Sequence, residues 1–120
     1  MENTKIDFLK TYLSLYIDHN TVLAGQQQPD SDYVILDVRN APAAIKKDQI
    51  KGAIAMPAKD LPQRLGELDA TKTYVVYDWT AGTTLGKVAL LALLGAGFKA
   101  YELSCALEDW KGMHLPIESL

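Results

Sequence analysis

The sequence predicts an α/β fold in which about five strands form a mostly parallel sheet with helices on both faces. Two β-branched apolar runs, "DYVILDV" at 32–38 and "TYVVYD" at 73–78, are typical of buried strands. The second run leads into an apolar segment with helical character, Leu85 to Leu94, which ends near two glycines. Strands that alternate with helices predict βαβ units and therefore parallel pairing.

The N-terminal part predicts mostly helix. Apolar residues recur with helical spacing over residues 4–13, and Leu15 to Ile17 could form a short strand. Asp18 or Asn20 could then cap a second short helix that reaches Gln27.

Between and after the two buried runs, the sequence predicts shorter elements. They are a helix in "APAAIKKDQ" (41–49), a strand at 52–57, a helix over 61–68, a last strand in "AYELS" (100–104), a helix over 107–111 and a tail marked by Pro116.

Length and composition describe an ordinary soluble domain. The 120 residues suffice for one core, and the hydrophobic share of 48% and charged share of 22% are typical of globular proteins. We therefore expect one domain over residues 1–120, with residues 1–28 as an N-terminal helical segment packed on it.

The charge pattern and the apolar runs argue against nucleic acid and membrane as partners. The net charge is −3, and Lys46 and Lys47 are followed directly by Asp48, so no basic face is evident. The start "MENTKIDFLK" has no apolar signal core, and the longest apolar run, Val88 to Leu94, is far shorter than the roughly 20 residues of a membrane span. We expect a cytoplasmic protein.

The reactive side chains are few. The single cysteine, Cys105, excludes an internal disulfide. Besides Cys105 there are only two widely spaced histidines, His19 and His114, so we expect no zinc site. Both histidines are interpreted as surface residues, and no metal or other cofactor is expected.

The loop "DWTAGTTLG" (78–86) is the candidate site, because ligands of parallel sheets bind at the carboxyl ends of the strands. Two readings are open for the backbone N–H groups of Gly82, Thr83 and Thr84. They could form an anion cradle at the positive end of the helix, or they could belong to an ordinary helix cap made by Thr83 or Thr84.

Four segments in order resemble the rhodanese family over nearly the whole chain. "VILDVRN" is similar to the family strand that ends in Asp-Val-Arg, and "IKGAIAMP" to its His-Ile-Pro-Gly-Ala segment. "YVVYDWTAGTTLGKVALLALLGAGF" resembles the family's strand, active-site loop and helix, and "AYELSCALEDWKGMHLPIE" its closing strand and Trp segment. The resemblance implies a rhodanese-like fold and a loop whose first residue is a Cys that carries sulfur as a persulfide.

This sequence departs from the family pattern at that residue. The Cys position aligns with Asp78, the family's loop Arg with Thr83 or Thr84, its His with Gln49, and its Gly-Gly with Cys105-Ala106. A carboxylate cannot hold a transferable sulfur. The resemblance therefore implies a domain without thiosulfate sulfurtransferase activity that serves as a binding or regulatory module, for an unidentified protein partner or a small anion.

Asp78 suggests a specific hypothesis and one alternative. Two like charges ~4 Å apart cost roughly 1 kcal/mol in water and about 4 kcal/mol at a protein surface. We therefore expect the Asp78 carboxylate to fill the cradle and to disfavour other anions. An aspartyl nucleophile that attacks phosphorus would instead need a metal held by further carboxylates, which this loop does not supply.

Cys105 is the alternative route to sulfur chemistry. The resemblance places the last strand beside the strand that ends at Tyr77, so the loops that follow both strands should be neighbours. Cys105 could then act in a divergent sulfurtransferase or as a persulfide carrier, or it could be a small buried hydrophobic residue.

The remaining loop and scaffold residues have a functional and a structural reading each. Asp37 and Arg39 could be a charged pair at the rim of the site or part of the scaffold. Trp79, which together with Thr80 and Ala81 opens the active-site-like loop, could gate a pocket or anchor a partner. Trp110 is interpreted as a packing residue.

Overall fold

The computed structural model describes residues 3–120, which form six α-helices, one 3₁₀ turn and seven strands. In chain order these are α1 (Asn3–Ser14), β1 (Tyr16–Ile17), α2 (His19–Gln26), β2 (Tyr33–Asp37), α3 (Ala43–Lys46), β3 (Asp48–Ile50), β4 (Ile54–Ala55), α4 (Leu61–Arg64), the 3₁₀ turn (Leu65–Glu67), β5 (Thr73–Tyr77), α5 (Leu85–Gly95), β6 (Lys99–Leu103), α6 (Ala106–Gly112) and β7 (Ile117–Ser119).

Five strands form one parallel sheet in the order β1-β6-β5-β2-β4, which confirms the predicted fold class. The centre is the β2–β5 pair, in register from Tyr33 opposite Thr73 to Asp37 opposite Tyr77. On both faces, β5 is buried along its whole length and β2 from Ile35 onward, which is why both sequences are largely apolar.

The two faces of the sheet carry separate clusters of buried side chains. On one face, Leu36 and Val76 pack with Leu90 and Leu93 of α5. On the other face, residues of β2 and β5 pack with Val22 of α2 and with α6; this second cluster includes Ile35, Val75, Leu107 and Trp110. Trp110 is fully buried and donates its indole N–H to the Pro116 carbonyl at 2.8 Å, as expected of a packing residue.

The antiparallel pair of β3 and β7 was not expected. The predicted helix over 41–49 ends at Lys46, because Lys47 has a φ of 68° that is incompatible with an α-helix. Asp48–Ile50 then pairs with Ile117–Ser119, so the predicted tail after Pro116 is a strand.

The N-terminal helices differ in how they contact the sheet. Asp18 caps α2 by accepting the N–H groups of Asn20 and Thr21, and Val22 of α2 is fully buried. By contrast α1, which lies wholly within the described residues, buries none of its side chains. Residues 1 and 2 of the predicted N-terminal segment lie outside the described residues.

None of the helices between residues 3 and 120 combines the length and the apolar content that crossing a bilayer requires.

Candidate functional site

The candidate site lies where β5 ends and the loop 78–84 leads into α5. This loop is joined by backbone hydrogen bonds to the start of α6: Leu107 N–H donates to the Asp78 carbonyl and Glu108 N–H to the Trp79 carbonyl, each at 3.0 Å. The segments that follow β5 and β6 are therefore neighbours at one edge of the sheet.

The Asp78 carboxylate points into the loop and is almost completely buried. Its Oδ1 accepts the Trp79 backbone N–H at 2.7 Å, and its Oδ2 accepts the backbone N–H of Leu85, the first residue of α5, at 3.0 Å. The Thr83 hydroxyl also donates to Oδ2. Asp78 thus satisfies one of the free N–H groups at the start of α5 and faces its positive end.

Thr83 and Thr84 cap the helix differently from the prediction. Thr84 occupies the position before α5, but among residues 3–120 its side chain has no partner in a capping hydrogen bond. The Thr83 N–H donates to the Thr80 carbonyl at 3.3 Å, and the Thr83 hydroxyl oxygen, whose hydrogen is directed to Asp78, lies 2.8 Å from the same carbonyl. The carboxylate of Asp78 replaces a threonine hydroxyl as the cap because it reaches the Leu85 N–H directly. Ala81 and Gly82 are exposed at the tip of the loop.

Asp37 and Arg39 are both fully buried beneath the loop, where they form an ion pair with each other. Arg39 Nε donates to Asp37 Oδ1 at 2.9 Å, and Nη2 donates to Asp37 Oδ2 at 2.6 Å and to the Asp48 carbonyl at 2.7 Å. Lys46 Nζ lies 3.4 Å from Asp37 Oδ2. Burial pulls the pKa of Asp37 upward, but the hydrogen bonds and charge of Arg39, with Lys46, outweigh it and hold the pKa below its ordinary value.

The same guanidinium supports Trp79. Its carbon lies 4.4 Å from the centroid of the Trp79 ring, which places the indole over the Asp37–Arg39 pair. Beside the ring is a cleft of about 280 Å³, which we call the Trp79 cleft; it is lined by Trp79, Thr80, Leu107, Glu108 and Lys111.

Cys105 lies in a different place. It is half-buried, and burial together with the Asp109 charge raises the pKa of its thiol to about 11. It borders an open cavity of about 590 Å³ whose lining comes from the start of α2 and from α6, namely Asp18, His19, Ser104, Cys105, Asp109, Gly112 and Met113. From the loop 78–84, Trp79 and Thr80 line the Trp79 cleft instead, so Cys105 and these loop residues border different cavities.

Sequence reasoning missed the pair of Lys87 and Glu102 beneath the start of α5. Lys87 Nζ lies 3.2 Å from Glu102 Oε1, and the Glu102 side chain is almost wholly buried. Burial raises the pKa of Glu102, and Lys87 offsets this in part. The available signals were a carboxylate inside the predicted strand "AYELS" and Gly86 in the first turn of an apolar helix. An added Cβ at Gly86 would overlap Glu102 Oε2 and lie 2.9 Å from Glu102 Cδ.

Within residues 3–120, no three or more His, Cys, Asp or Glu side chains are grouped so that they could hold a metal ion.

Comparison with known proteins places these features in a wider group. The model of the family described as Rhodanese-like domain matches residues 19–113. The full-length protein from Lactobacillus plantarum, solved by crystallography, is 72% identical over 100% of both chains, with a TM-score of 0.94. A second crystal structure from the same organism is 73% identical over 98% of this chain and 99% of that chain, with a TM-score of 0.91.

More distant structures share the fold. The Rhodanese-like domain from the Anabaena sp. Alr3790 protein is 28% identical over 88% of this chain and 80% of that chain, with a TM-score of 0.74. A rhodanese-related protein from Thermoplasma volcanium is 19% identical over 86% of this chain and 96% of that chain, with a TM-score of 0.73, which is a likeness in fold alone. No curated protein matches the sequence.

Proposed function

We propose that this chain, which belongs to the rhodanese-like domain family, is a binding module without thiosulfate sulfurtransferase activity. One observation carries the proposal: the buried Asp78 carboxylate stands at the loop position where the family resemblance expects a sulfur-carrying Cys, and it accepts hydrogen bonds from Trp79, Thr83 and Leu85. An oxygen acid at this position has no sulfur atom on which a persulfide could form.

The hydrogen bonds of Asp78 also disfavour binding of a substrate anion. The N–H groups of Trp79 and Leu85 point to its carboxylate oxygens at 2.7 and 3.0 Å. A second anion beside this carboxylate would meet a repulsion between roughly 1 and 4 kcal/mol. Such a repulsion weakens binding by about tenfold or more. A small anion is thus a poor occupant of this loop.

The Trp79 cleft is better suited to a protein partner. The Arg39 guanidinium beneath the indole fixes the ring, and pre-positioned tryptophans are frequent anchors of protein interfaces. At about 280 Å³, the cleft lies just below the roughly 300–1,000 Å³ of most small-molecule pockets and fits one partner side chain. Glu108 and Lys111 add one charge of each sign at its border.

Sulfur transfer through Cys105 is not favoured by the pKa of its thiol. A thiol whose pKa is about 11 is almost entirely protonated at neutral pH, and sulfur transfer needs the thiolate. We therefore expect no sulfurtransferase activity from this residue.

The catalytic half of the proposal is tested by a thiosulfate:cyanide sulfurtransferase assay on the wild type, Cys105→Ser and Asp78→Cys. We expect background rates from the first two proteins. Wild-type activity that disappears in Cys105→Ser would overturn the proposal. Persulfide formation by Asp78→Cys, detected by intact mass, would show that this position alone separates the chain from sulfur chemistry.

The anion-exclusion step has its own test. Thermal shifts with thiosulfate and phosphate are measured for the wild type, Asp78→Gly and the exposed control Asp30→Asn. We expect stabilisation by the anions in Asp78→Gly alone. An equal shift in all three proteins would contradict an exclusion that depends on Asp78.

The binding half is tested by comparing the proteins that co-purify with the wild type, with Trp79→Ala and with Ile54→Ala. Ile54 is an exposed apolar residue on β4, three strands away from β6. We expect a partner that Trp79→Ala alone loses. A set of partners that is the same for all three proteins would remove the support for the Trp79 cleft as a binding surface.

A further inference from the structure

We propose that α1 and the outer face of α5 form one surface through which two copies of this chain pair. This dimer surface is defined by Ile6, Phe8, Leu9, Leu13, Val88, Leu91 and Leu94. It is separate from the loop 78–84 and from the Trp79 cleft, so the inference goes beyond the proposed function.

The first argument is that α1 has little support within its own chain beyond the half-buried Tyr12, whose hydroxyl is hydrogen-bonded to that of Tyr16. It has 12 residues, and across the described chain none of them is buried. Helices shorter than about 12–15 residues are marginal in water, and most helices in proteins depend on a packed apolar face. A broad apolar arc is present in α1, since Ile6, Leu9 and Leu13 follow a helical spacing and are exposed by 51%, 56% and 68%. This arc needs a surface to cover it.

The second argument is that α5 carries an apolar face of its own. Its inner side chains, such as Leu93, pack on the sheet. On its outer side Val88, Leu91 and Leu94 are exposed by 50%, 76% and 40%. Their spacing of three residues places them along one stripe of the helix.

The two apolar faces lie next to each other, because Tyr12 of α1 and Lys87 of α5 are in contact. Phe8 packs against Tyr12 with 5.8 Å between ring centroids, and Lys87 Nζ lies 5.9 Å from the Tyr12 ring. Tyr12 and Leu90 also line one small cavity between α1 and α5. Leu91 lies one helical turn from Lys87, so the exposed side chains of α5 extend the apolar arc of α1.

The size of the surface fits a second protein copy. Seven large apolar side chains exposed by half or more on average present on the order of 400 Å² of apolar area. An ordinary interface buries about 800 Å² per partner, a little more than half of it apolar. The dimer surface therefore supplies most of the apolar area that one side of a stable interface needs.

The charges favour a second copy over a strongly charged partner. On α1, Lys5 and Lys10 stand with Asp7, and Lys87 of α5 is paired with Glu102. Among the described residues of α1 and α5, charges of both signs are mixed, so no strong field of one sign attracts nucleic acid or an anionic bilayer. A mostly apolar patch is complementary to itself, and a two-fold axis can pair it with the same patch on an identical chain.

Such a dimer leaves the Trp79 cleft accessible. The cleft is bordered by Leu107 of α6, which packs on the opposite face of the sheet from α5. Pairing through α1 and α5 would therefore give an assembly with two open clefts.

The test is sedimentation equilibrium on the full chain, on the double variant Leu9→Glu with Leu91→Glu, and on the control Ile54→Glu. Ile54 is exposed by 50% but lies on β4, at the opposite edge of the sheet from β1. We expect twice the chain mass of 13.2 kDa for the wild type and the control. In the double variant, burying two carboxylates should raise the dimer Kd at least about hundredfold.

Circular dichroism on dilution gives a second readout. Because α1 has little internal support, wild-type helicity should fall together with the dimer population, and the double variant should show the lower helicity at every concentration. Near-ultraviolet spectra that match the wild type identify the variant as folded. If it is not folded, Leu91→Ser, which changes one exposed side chain, takes its place.

Three outcomes would overturn the proposal. One is a wild type that stays monomeric up to about 100 µM, well above the micromolar Kd of a weak interface. Another is a dimer that Leu9→Glu with Leu91→Glu leaves intact. The third is a monomer that binds vesicles of phosphatidylcholine and phosphatidylglycerol through α1, which would assign the surface to a bilayer.

Discussion

The guanidinium of Arg39 lies against the indole of Trp79, with 4.4 Å between the guanidinium carbon and the ring centroid. The same group is held from below by two hydrogen bonds to Asp37. A buried ion pair therefore fixes the position of the one aromatic side chain in the loop 78–84. Substitutions of Asp37 or Arg39 should therefore change the position of Trp79 at the loop surface, although the substituted residue is itself buried.

Replacing Asp37 by Asn should strongly destabilise the protein. The change leaves the Arg39 charge buried without its carboxylate, and breaking a buried pair in this way costs about 3–5 kcal/mol. Urea unfolding measures the loss, with Asp30→Asn as an exposed control. A loss no larger than that of the control would show that Arg39 is compensated by other groups.

The pKa of the Asp37 carboxyl predicts how the free energy of unfolding changes with pH. Its pKa in the folded protein is lowered, while in the unfolded chain it is about 3.9. The stabilisation is therefore complete above pH ~5 and is lost as the pH falls through the lower, folded-state pKa. Unfolding free energies measured between pH 7 and 2 should decline more steeply in the wild type than in Asp37→Asn. Parallel curves would contradict this role of Asp37.

Replacing Asp78 by Asn should cost about 2 kcal/mol. The carboxylate accepts the N–H groups of Trp79 and Leu85, and a hydrogen bond to a charged group contributes roughly 1.5–3 kcal/mol. An amide retains one oxygen acceptor, so part of the interaction remains. Thermal unfolding at neutral pH measures the change, again against Asp30→Asn. Equal stability of both variants would mean that the carboxylate does not support the start of α5.

Cys105 should react slowly with iodoacetamide at pH 7. Burial and the charge of Asp109 raise the pKa of the thiol to about 11, against about 8.5 for a free cysteine. The thiolate fraction is then more than about a hundredfold lower than in an unfolded chain. Mass spectrometry compares labelling in buffer and in guanidinium, and Asp109→Asn should label faster than the wild type. Fast labelling of Cys105 in the native protein would contradict this prediction and support Cys105 as a persulfide carrier.

Replacing Gly86 by Ala should destabilise the protein by about 1–3 kcal/mol. The new methyl group would overlap the carboxylate of Glu102, which is buried and paired with Lys87. Gly95→Ala in the same helix is the matched control, because the described chain leaves open space there and Ala favours helix by about 0.5–1 kcal/mol. Chemical denaturation should therefore show a lower free energy of unfolding for Gly86→Ala and a higher one for Gly95→Ala. Equal effects of the two substitutions would show that the Glu102 side chain shifts to accommodate the new methyl group.

Replacing His114 by Gly should stabilise the protein by about 0.5–1 kcal/mol. His114 has a φ of 57° at the end of α6, where its N–H donates to the Lys111 carbonyl and Leu115 N–H to the Trp110 carbonyl. Such helix ends favour glycine, because other residues are strained in the left-handed region. Gly97, with a φ of 86°, holds the equivalent position after α5, so Gly97→Ala should have the opposite effect. A lower melting temperature for His114→Gly would refute the argument.

The central strands could be predicted from the sequence because their signal is local. β2 and β5 are unbroken apolar runs, and α5 ends at glycines that a helix end requires. The pairing of β3 with β7 could not be predicted in this way. Gln49 and Glu118 lie opposite each other and are joined by a hydrogen bond of 2.6 Å, and neither strand has apolar alternation.

The candidate site shows the same division. The placement of Asp78 after a buried strand follows from the pattern. The neighbourhood of the loop to the segment after β6 was expected from the family resemblance and not from the pattern. The burial of Arg39 could not be predicted, because an arginine after a strand is ordinarily exposed. Its partners beneath the loop are evident only from the three-dimensional packing. The burial of Glu102 depends likewise on the distant glycine at 86.

The pairing of β1 with β6 has a consequence for how the chain is made. Tyr16 lies opposite Glu102, and Ile17 opposite Leu103, at the edge of the sheet. During synthesis, β1 at residues 16–17 must wait until residues 99–103 have left the ribosome before its neighbour β6 exists. The central strands can assemble earlier, since both neighbours of β2, β4 and β5, precede β6 in the chain. We expect β1 and the neighbouring α1 to dock after the central strands, which leaves the apolar arc of α1 accessible to chaperones until β6 has been synthesised.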